Sequence, residues 1–233
     1  MADWLKKILG RKEDLKKGLD AKKIAKLYYL ATVDTKTQLY NYRYFNSVFK
    51  HEMAIAERYG RTISMLLLDL DDFKRINDKH GYLRGDEVLQ MVSMIIKSNV
   101  RETDVAARFG GEEFVVLMPE TPSEDAKNMA ERIRKFIQED KFLASFNLTA
   151  SIGVASHNKK TELATSKMKS AYEKFMPKSK NGKRNGNLDL FEKANIALRY
   201  AKEHGKNCYM EYDDISKISF LEKIEKQFVG DKS

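Results

Sequence analysis

A turn with two glycines and two glutamates constrains the fold of this chain most strongly. The string Arg108-Phe109-Gly110-Gly111-Glu112-Glu113-Phe114 interrupts what otherwise reads as two short strands, and the apolar run 115–118 follows it. Adjacent glycines permit positive φ and let another molecule approach the backbone, so this composition predicts a β-hairpin over about residues 105–118. Two neighbouring carboxylates at its tip repel each other unless a cation, or a phosphate accompanied by cations, lies in front of them.

A second acidic cluster ends a buried-strand pattern about forty residues upstream. Residues 63–68 form a continuous apolar run that stops abruptly at Asp69-Leu70-Asp71-Asp72. Such a run is typical of a strand buried on both faces. If this strand lies beside the hairpin, Asp69 and Glu112 can converge on a hard divalent cation, which prefers oxygen ligands. The alternative is a set of solvated acids at a strand end and a hairpin tip.

Several linked motifs resemble the GGDEF family of diguanylate cyclases, in its GGEEF spelling. In order and spacing they are Asp69-Leu70-Asp71-Asp72-Phe73-Lys74-Arg75-Ile76-Asn77-Asp78, then Gly81-Tyr82-Leu83-Arg84-Gly85-Asp86, then the hairpin string. Residues 34–45 are similar to the family's N-terminal motif D-x-L-T-G-L-x-N-R-R-x-F, and the departures from it are Lys36, Gln38 and Tyr42. The resemblance covers about residues 32–156 and again about 190–212.

The resemblance implies an enzyme that condenses two GTP molecules into cyclic di-GMP and releases two pyrophosphates. It implies Mg²⁺ or Mn²⁺ as cofactor, held by Asp69, Glu112 and the backbone carbonyl of Leu70. Glu113 is the candidate to orient or deprotonate the attacking 3′-hydroxyl, with a metal-bound hydroxide as the alternative base. Because one site holds one GTP, closing the ring implies a homodimer.

The resemblance also implies where the phosphates of GTP bind. The backbone N–H groups of Asp72 and Phe73 face the β and γ phosphates in the family, and three lysine positions match those that neutralise them: Lys74, Lys202 and Lys206. Lysine acts as a compact point charge and suits this task. For each lysine taken alone, a solvated surface position is the alternative.

Base selection is assigned by the resemblance to Asn77 and Asp86. A carboxylate accepts hydrogen bonds from guanine N1–H and from its exocyclic amino group, a donor pair that adenine lacks. Asp86 therefore favours GTP over ATP. Tyr82 replaces the common histidine of the family.

The string Arg101-Glu102-Thr103-Asp104 resembles the R-x-x-D site at which many family members bind their product. Arginine pairs bidentately with phosphate or guanine, and the aspartate can hold the base. The resemblance therefore implies product inhibition through Arg101 and Asp104. The alternative is a charged helix end, in which Arg101 completes a helix and Asp104 opens a turn.

The order of the patterns is strand, helix, hairpin, helix, strand, which predicts an α+β fold of the ferredoxin-like, nucleotidyl-cyclase palm type, with an antiparallel-rich sheet covered by helices. We expect a polar loop after Asp69, followed by a helix with buried positions between residues 88 and 100. Thr121-Pro122-Ser123-Glu124 resembles a capping box with proline at the first helical position. Alternation over residues 146–154 predicts a half-buried strand.

Three regions are expected from the patterns along the chain. They are an N-terminal helical extension over 1–31, a catalytic domain over 32–212 with a basic insertion at 157–187, and a C-terminal helical tail over 213–233. The extension most simply packs on the domain or on a second subunit, and contact of its basic helix with anionic lipid is the alternative.

The net charge of +9 invites a nucleic-acid hypothesis. The excess charge lies in the appendages, because residues 157–187 contain nine Lys/Arg against two Asp/Glu, and residues 1–26 contain nine against four. We therefore expect no nucleic-acid partner, although a polymerase-like palm stays an alternative. One cysteine and the absence of a long apolar stretch favour a cytoplasmic protein. A catalytically weak module that senses cyclic di-GMP is the other alternative.

Overall fold

The computed structural model describes residues 21–158, 189–215 and 217. The strands in these ranges are β1 (Tyr40–Asn41), β2 (Ile63–Leu70), β3 (Val105–Arg108), β4 (Glu113–Pro119), β5 (Ala150–His157) and β6 (Tyr209–Glu211). The helices are α1 (Ala21–Thr32), α2 (Tyr42–Tyr59), α3 (Phe73–His80), α4 (Tyr82–Asn99), α5 (Ser123–Glu139), α6 (Lys141–Ala144) and α7 (Leu190–Glu203). The sheet order is β1-β3-β4-β2-β5-β6.

Strand β2 lies at the centre of the sheet and runs antiparallel to both β4 and β5. Strands β3 and β4 form the predicted antiparallel hairpin. The edge strands β1 and β6 pair in parallel with β3 and β5. The structure thus confirms the predicted α+β class with an antiparallel-rich sheet covered by helices.

Alternate residues of β2 face two different helical layers, as the pleat of a strand requires. Leu66, Leu68 and Leu70 belong to the apolar cluster that includes residues of α3, α4 and α5. Met65 and Leu67 belong to a second cluster that includes residues of α2 and α7. Because Asp69 alternates in step with Met65 and Leu67, its side chain points to the side of the sheet that α7 covers.

The prediction of a polar loop after Asp69 is wrong, because helix α3 forms there. Phe73 and Ile76 lie one turn apart in this helix and are only 4% exposed each. Two buried residues at helical spacing suffice to dock so short a helix, and the surrounding polar residues hid that pattern in the sequence.

The expected capping box is also wrong. Pro122 is the N-cap residue of α5, the helix begins at Ser123, and no side chain caps it. Thr121 Oγ1 instead donates to the Pro119 carbonyl at 3.0 Å. Proline is tolerated here because the first N–H groups of a helix have no intrahelical acceptor, so the lack of an N–H on proline costs no hydrogen bond.

The expected half-buried strand over residues 146–154 starts later and is buried on both faces. Strand β5 begins at Ala150, and Ser151 and Gly153 are buried rather than solvated. The face carrying Gly153 is covered by α7, since a Cβ on that glycine would lie 2.0 Å from the Ala194 carbonyl oxygen. A helix about forty residues downstream thus buries the face that looked polar.

Side chains cap the starts of two other helices. The Asn41 side chain caps α2 by accepting from the Tyr44 N–H at 3.0 Å, and that of Asp189 caps α7 by accepting from the Glu192 N–H at 2.7 Å. The expected extension over 1–31 is described only from residue 21, as α1. Residues 159–187 of the expected insertion, and nearly all of the expected tail beyond 215, lie outside the described residues.

Candidate active site

The glycine turn between β3 and β4 brings its two glutamates to one end of the sheet. The Phe109 N–H donates to the Glu113 carbonyl at 2.8 Å and so closes the turn. A Cβ on Gly110 would lie 2.5 Å from Glu113 Oε2. The carboxylate of Glu113 therefore lies over the bare backbone of Gly110, a position that a larger residue would disturb.

The Arg108 side chain holds this turn through hydrogen bonds, a role that the sequence patterns did not reveal. Its Nε donates to the Gly110 carbonyl at 3.1 Å and its Nη2 to the Gly111 carbonyl at 2.6 Å. Its Nη1 lies 3.4 Å from Asp34 Oδ1. The guanidinium thus uses its planar set of donors to hold two carbonyls of the turn and one carboxylate of the N-terminal motif.

Asp69 and Glu112 lie on neighbouring strands at this end of the sheet. Asp69 pairs with Glu113 in the β2–β4 register, and the Leu70 N–H donates to the Glu112 carbonyl at 3.4 Å. We call Asp69, Leu70, Glu112 and Glu113 the strand-end site. The structure thus brings together the two acids that the sequence separates by more than forty residues.

The anionic forms of Asp69 and Glu112 are both destabilised in the strand-end site. Burial raises the pKa of Glu112, and the neighbouring charge of Asp69 raises it further. Burial also raises the pKa of Asp69, which is 6% exposed, although the Lys202 ammonium opposes this shift. Two partly desolvated carboxylates that repel each other favour the binding of a cation between them.

The donor atoms of the strand-end site fit a hard divalent cation. Carboxylate oxygens of Asp69 and Glu112, with the backbone carbonyl of Leu70, are the oxygen ligands that Mg²⁺ and Mn²⁺ prefer. Within residues 21–158, 189–215 and 217 no three His, Cys, Asp or Glu side chains converge as a metal cluster. A cation here would therefore complete its shell with water or with oxygens of a bound phosphate.

Two lysines, one in α7 and one just after it, form ion pairs with Asp69 at the end of β2 and with Asp72 in the turn that follows. Lys202 Nζ lies 2.7 Å from Asp69 Oδ2, and Lys206 Nζ lies 2.8 Å from Asp72 Oδ1. The hydrogen bond from Lys206 holds the pKa of Asp72 below its ordinary value. Both ammonium groups therefore lie beside the site with carboxylates as partners, whereas Lys74 is exposed on α3.

Asp71 ties the loop before β6 to the strand-end site, a second role that the sequence patterns missed. Its buried carboxylate accepts three hydrogen bonds, from Thr149 Oγ1 at 2.6 Å, Ser151 Oγ at 2.7 Å and the Asn207 N–H at 3.0 Å. Lys206 and Asn207 both adopt left-handed conformations, with φ of 59° and 46°. Such conformations persist when surrounding contacts fix them, and here they aim Lys206 at the turn after β2.

The residues assigned to the base lie together where α3 meets α4. A Cβ on Gly85 would lie 1.9 Å from Asn77 Oδ1, so the absent side chain makes room for Asn77 beside the next residue, Asp86. Asp86 also pairs with Lys36, whose Nζ lies 2.6 Å from Asp86 Oδ1. Lys36 is one of the departures from the family motif.

Arg101 and Asp104 lie in the connection that we call the α4–β3 turn, residues 100–104. Asp104 Oδ2 accepts from the Arg101 N–H at 2.8 Å, and burial raises the pKa of this carboxyl. Its Oδ1 is buried and has no hydrogen-bond partner among the described residues. The Arg101 side chain is exposed. The structure thus shows Asp104 closing its own turn, while ligand binding by the pair stays a prediction.

The antiparallel palm and the carboxylates at its strand ends define the class of nucleotidyl-cyclase folds. Among solved structures of this class, the active GGEEF domain of a diguanylate cyclase from Vibrio cholerae superposes with a TM-score of 0.60 at 28% identity, covering 75% of this chain and 98% of that one. The GGDEF domain of DgcB from Caulobacter crescentus, in complex with c-di-GMP, gives a TM-score of 0.62 at 26% identity, covering 78% and 96%.

The sequence comparisons identify the family. The family model described as diguanylate cyclase, GGDEF domain, matches residues 31–186, and the chain belongs to this family. Diguanylate cyclase A of Treponema denticola is 39% identical over 165 residues, which are 68% of this chain and 44% of that protein. The response regulator PleD of Caulobacter vibrioides is 42% identical over 132 residues, 54% and 29% of the two proteins. The chain thus spans less than half the length of these two relatives.

No helix in the described ranges is both long and apolar enough to cross a bilayer.

Proposed function

We propose that this chain is a diguanylate cyclase, which condenses two GTP molecules into cyclic di-GMP and releases two pyrophosphates. The observation that carries the proposal is the convergence of Asp69 and Glu112, two partly desolvated acids, beside the Lys202 ammonium. Family membership and the similarity to diguanylate cyclases support it.

We assign the two parts of the phosphoryl-transfer chemistry to different groups of the strand-end site. Asp69, Glu112 and the Leu70 carbonyl would hold Mg²⁺ or Mn²⁺, which when bound stabilises the charge that develops on the α-phosphate. Glu113, over the open backbone of Gly110, accepts the proton of the 3′-hydroxyl that attacks the α-phosphate.

The leaving pyrophosphate is assigned to the lysines and to the turn that follows β2. When GTP binds, Lys202 and Lys206 exchange their carboxylate partners for phosphate oxygens, and Lys74 approaches from α3. The backbone N–H groups of Asp72 and Phe73 donate to the β and γ phosphates. This exchange would keep each lysine paired with an anion with and without substrate, and the bound cation would replace Lys202 beside the buried Asp69.

Selection of guanine is assigned to Asp86 and Asn77. Asp86 accepts from the N1–H and N2–H groups of the base, and Asn77 meets the polar edge that remains. Loss of these bonds disfavours ATP, because unpaired polar groups in a binding site are costly.

Formation of the ring requires two copies of the chain, since one site holds one GTP. Each copy presents its bound nucleotide to the other, and the two attacks follow in turn. A mass measurement at high protein concentration with GTP and Mg²⁺ tests this step. We expect a dimer, and a strict monomer that still makes product would contradict it.

The product is assigned a second binding site at the α4–β3 turn. Arg101 is exposed and can pair bidentately with a phosphate or with guanine. Asp104 would accept from the base only once its buried Oδ1 becomes accessible. Binding there would limit synthesis when product accumulates.

The turnover assay decides the proposal. The purified chain is incubated with Mg²⁺ and GTP, ATP or both, and the products are separated by chromatography beside a Glu112→Ala variant. We expect the wild type to make cyclic di-GMP whenever GTP is present and not from ATP alone, and the variant to make it about a thousandfold more slowly. Binding of cyclic di-GMP without any turnover by the wild type would instead favour a sensor module.

A further inference from the structure

An ammonium group lies beside the carboxylate proposed to read the guanine base. Lys36 Nζ donates to Asp86 Oδ1 at 2.6 Å, although the two residues are 50 positions apart. The Lys36 side chain is 51% exposed and that of Asp86 is 32% exposed. Exposed ion pairs contribute little to stability, so a ligand can compete for these two groups at little cost to the fold.

The turn before β1 holds Lys36 in place. Asp34 Oδ1 accepts from the Thr37 N–H at 2.9 Å and from Thr37 Oγ1 at 2.7 Å. The Asp34 N–H donates to the Leu39 carbonyl at 2.8 Å, and the Gln38 N–H donates to the Asp34 carbonyl at 2.8 Å. These bonds close the turn on both sides of Lys36. Its backbone is therefore fixed opposite the second turn of α4, and its side chain reaches Asp86 from there.

The order of groups on guanine explains what a cation at this carboxylate can do. The base presents an amino group, N1–H and O6 next to one another. A carboxylate that accepts from the amino group and N1–H leaves O6 beside the oxygen that faces N1–H. A donor already bonded to that oxygen comes within reach of O6. Lysine has three donors, so its ammonium can keep the bond to Asp86 and make another.

We infer that Lys36 donates to guanine O6 while Asp86 accepts from N1–H and from the amino group, so that these two residues read the Watson–Crick edge and Asn77 meets polar atoms of the base outside it. This inference rests on the proposed function. Adenine carries an amino donor where guanine has O6, and that donor would face the ammonium without an acceptor. Lys36 stands where the family motif has leucine, so the motif itself does not supply this contact.

Base analogues that differ at one position separate this role from general charge attraction. The probes are the α,β-methylene triphosphates of guanosine, 6-thioguanosine and inosine, which lack a cleavable α–β bond. The 6-thio analogue replaces O6 with a weaker acceptor, and inosine lacks only the amino group. Binding to the full chain is measured by calorimetry with Mg²⁺ at neutral pH. The variants are Lys36→Met and, as a matched control, Lys79→Met, an exposed lysine of α3.

We expect the wild type to bind the guanosine analogue about tenfold more tightly than the 6-thio analogue, because one charge-assisted hydrogen bond is lost. Lys36→Met should lower affinity for the guanosine analogue about tenfold and for the 6-thio analogue less than twofold. The penalty for inosine should stay the same in both proteins, because Asp86 reads the amino group. Lys79→Met should behave as the wild type.

Equal losses for the guanosine and 6-thio analogues would overturn the inference, because they would indicate general charge attraction. Tighter binding by Lys36→Met would also overturn it, since the lysine would then block the carboxylate. If the wild type binds the guanosine analogue and Lys36→Met shows no selective loss, only the inference fails. If the wild type binds no guanosine analogue, the proposed function fails and takes the inference with it.

Discussion

The strand-end site and the α4–β3 turn each contain a buried aspartate whose pKa burial raises, yet the two carboxylates are satisfied differently. Asp69 meets the ammonium of Lys202, which comes from a helix distant in sequence. Asp104 meets the backbone N–H of Arg101, three residues before it. An ammonium can leave when a ligand arrives, whereas a backbone bond that closes a turn cannot leave without unfolding the turn. The same residue type thus suits exchange in one region and local structure in the other.

Removal of a cation ligand from the strand-end site should have the largest effect. We expect Glu112→Ala to lower the rate of cyclic di-GMP formation about a thousandfold, because a bound metal supplies several kcal/mol of transition-state stabilisation. Thermal unfolding should be unchanged or slightly shifted upwards, since the repulsion with Asp69 is relieved. Rate assays and thermal melts measure the two effects.

The matched control for that variant is Glu120→Ala. Glu120 follows β4 at the opposite end and forms an exposed pair with Arg61 at 2.9 Å. It should retain turnover. A Glu112→Ala protein within tenfold of the wild-type rate would contradict the assignment of the strand-end site.

The ion pair between Lys202 and Asp69 depends on the position of α7. A substitution in the sheet beneath this helix can change that position. A Cβ on Gly153 would lie 2.0 Å from the Ala194 carbonyl oxygen and 2.4 Å from the Leu198 nitrogen. We expect Gly153→Ala to lower the free energy of unfolding by about 3 kcal/mol, because backbone atoms must move apart. Denaturant titration measures it.

Gly111→Ala serves as the control for stability, since no atom lies within 4 Å of an added Cβ there. Its free energy of unfolding should change by less than about 0.5 kcal/mol. Equal stabilities of the two variants would show that α7 does not rest on Gly153 as closely as described.

The α4–β3 turn can be tested for a ligand role separately from its structural one. We expect Arg101→Ala to need about tenfold more cyclic di-GMP for half-maximal inhibition, since one charged pairing is lost. The initial rate without added product should be unchanged. Glu102→Ala, an exposed neighbour, is the control. Unaltered inhibition in Arg101→Ala would leave this turn with its structural role alone.

The smallest effect concerns the pH dependence of stability. Because the folded pKa of Asp104 is raised, the folded protein binds this proton more tightly than the unfolded chain. Its contribution to stability is therefore largest below the ordinary pKa of about 3.9 and is lost as pH rises through the folded pKa. Between about pH 4 and pH 7, the free energy of unfolding of Asp104→Asn should fall less than that of the wild type. Denaturant titrations at several pH values, with a chelator present, measure this, and identical slopes would contradict it.

Local patterns predicted those elements whose burial depends on their own periodicity. The hairpin over about residues 105–118 was predicted from its two glycines and from the apolar run that follows them. The patterns failed where burial depends on a distant partner. Strand β5 looked half exposed because Gly153 and Ser151 read as polar positions, and only the packing of α7 makes them interior.

The sequence by itself determined the order of the elements, the glycine turn and the identity of the acids and lysines available for chemistry. Only the tertiary structure decided which of them meet. Lys36 reaches Asp86 across 50 residues, and the Asn207 N–H reaches Asp71 across 136. Such contacts depend on the register of the sheet and on how closely α7 packs against it, and no local periodicity encodes either distance.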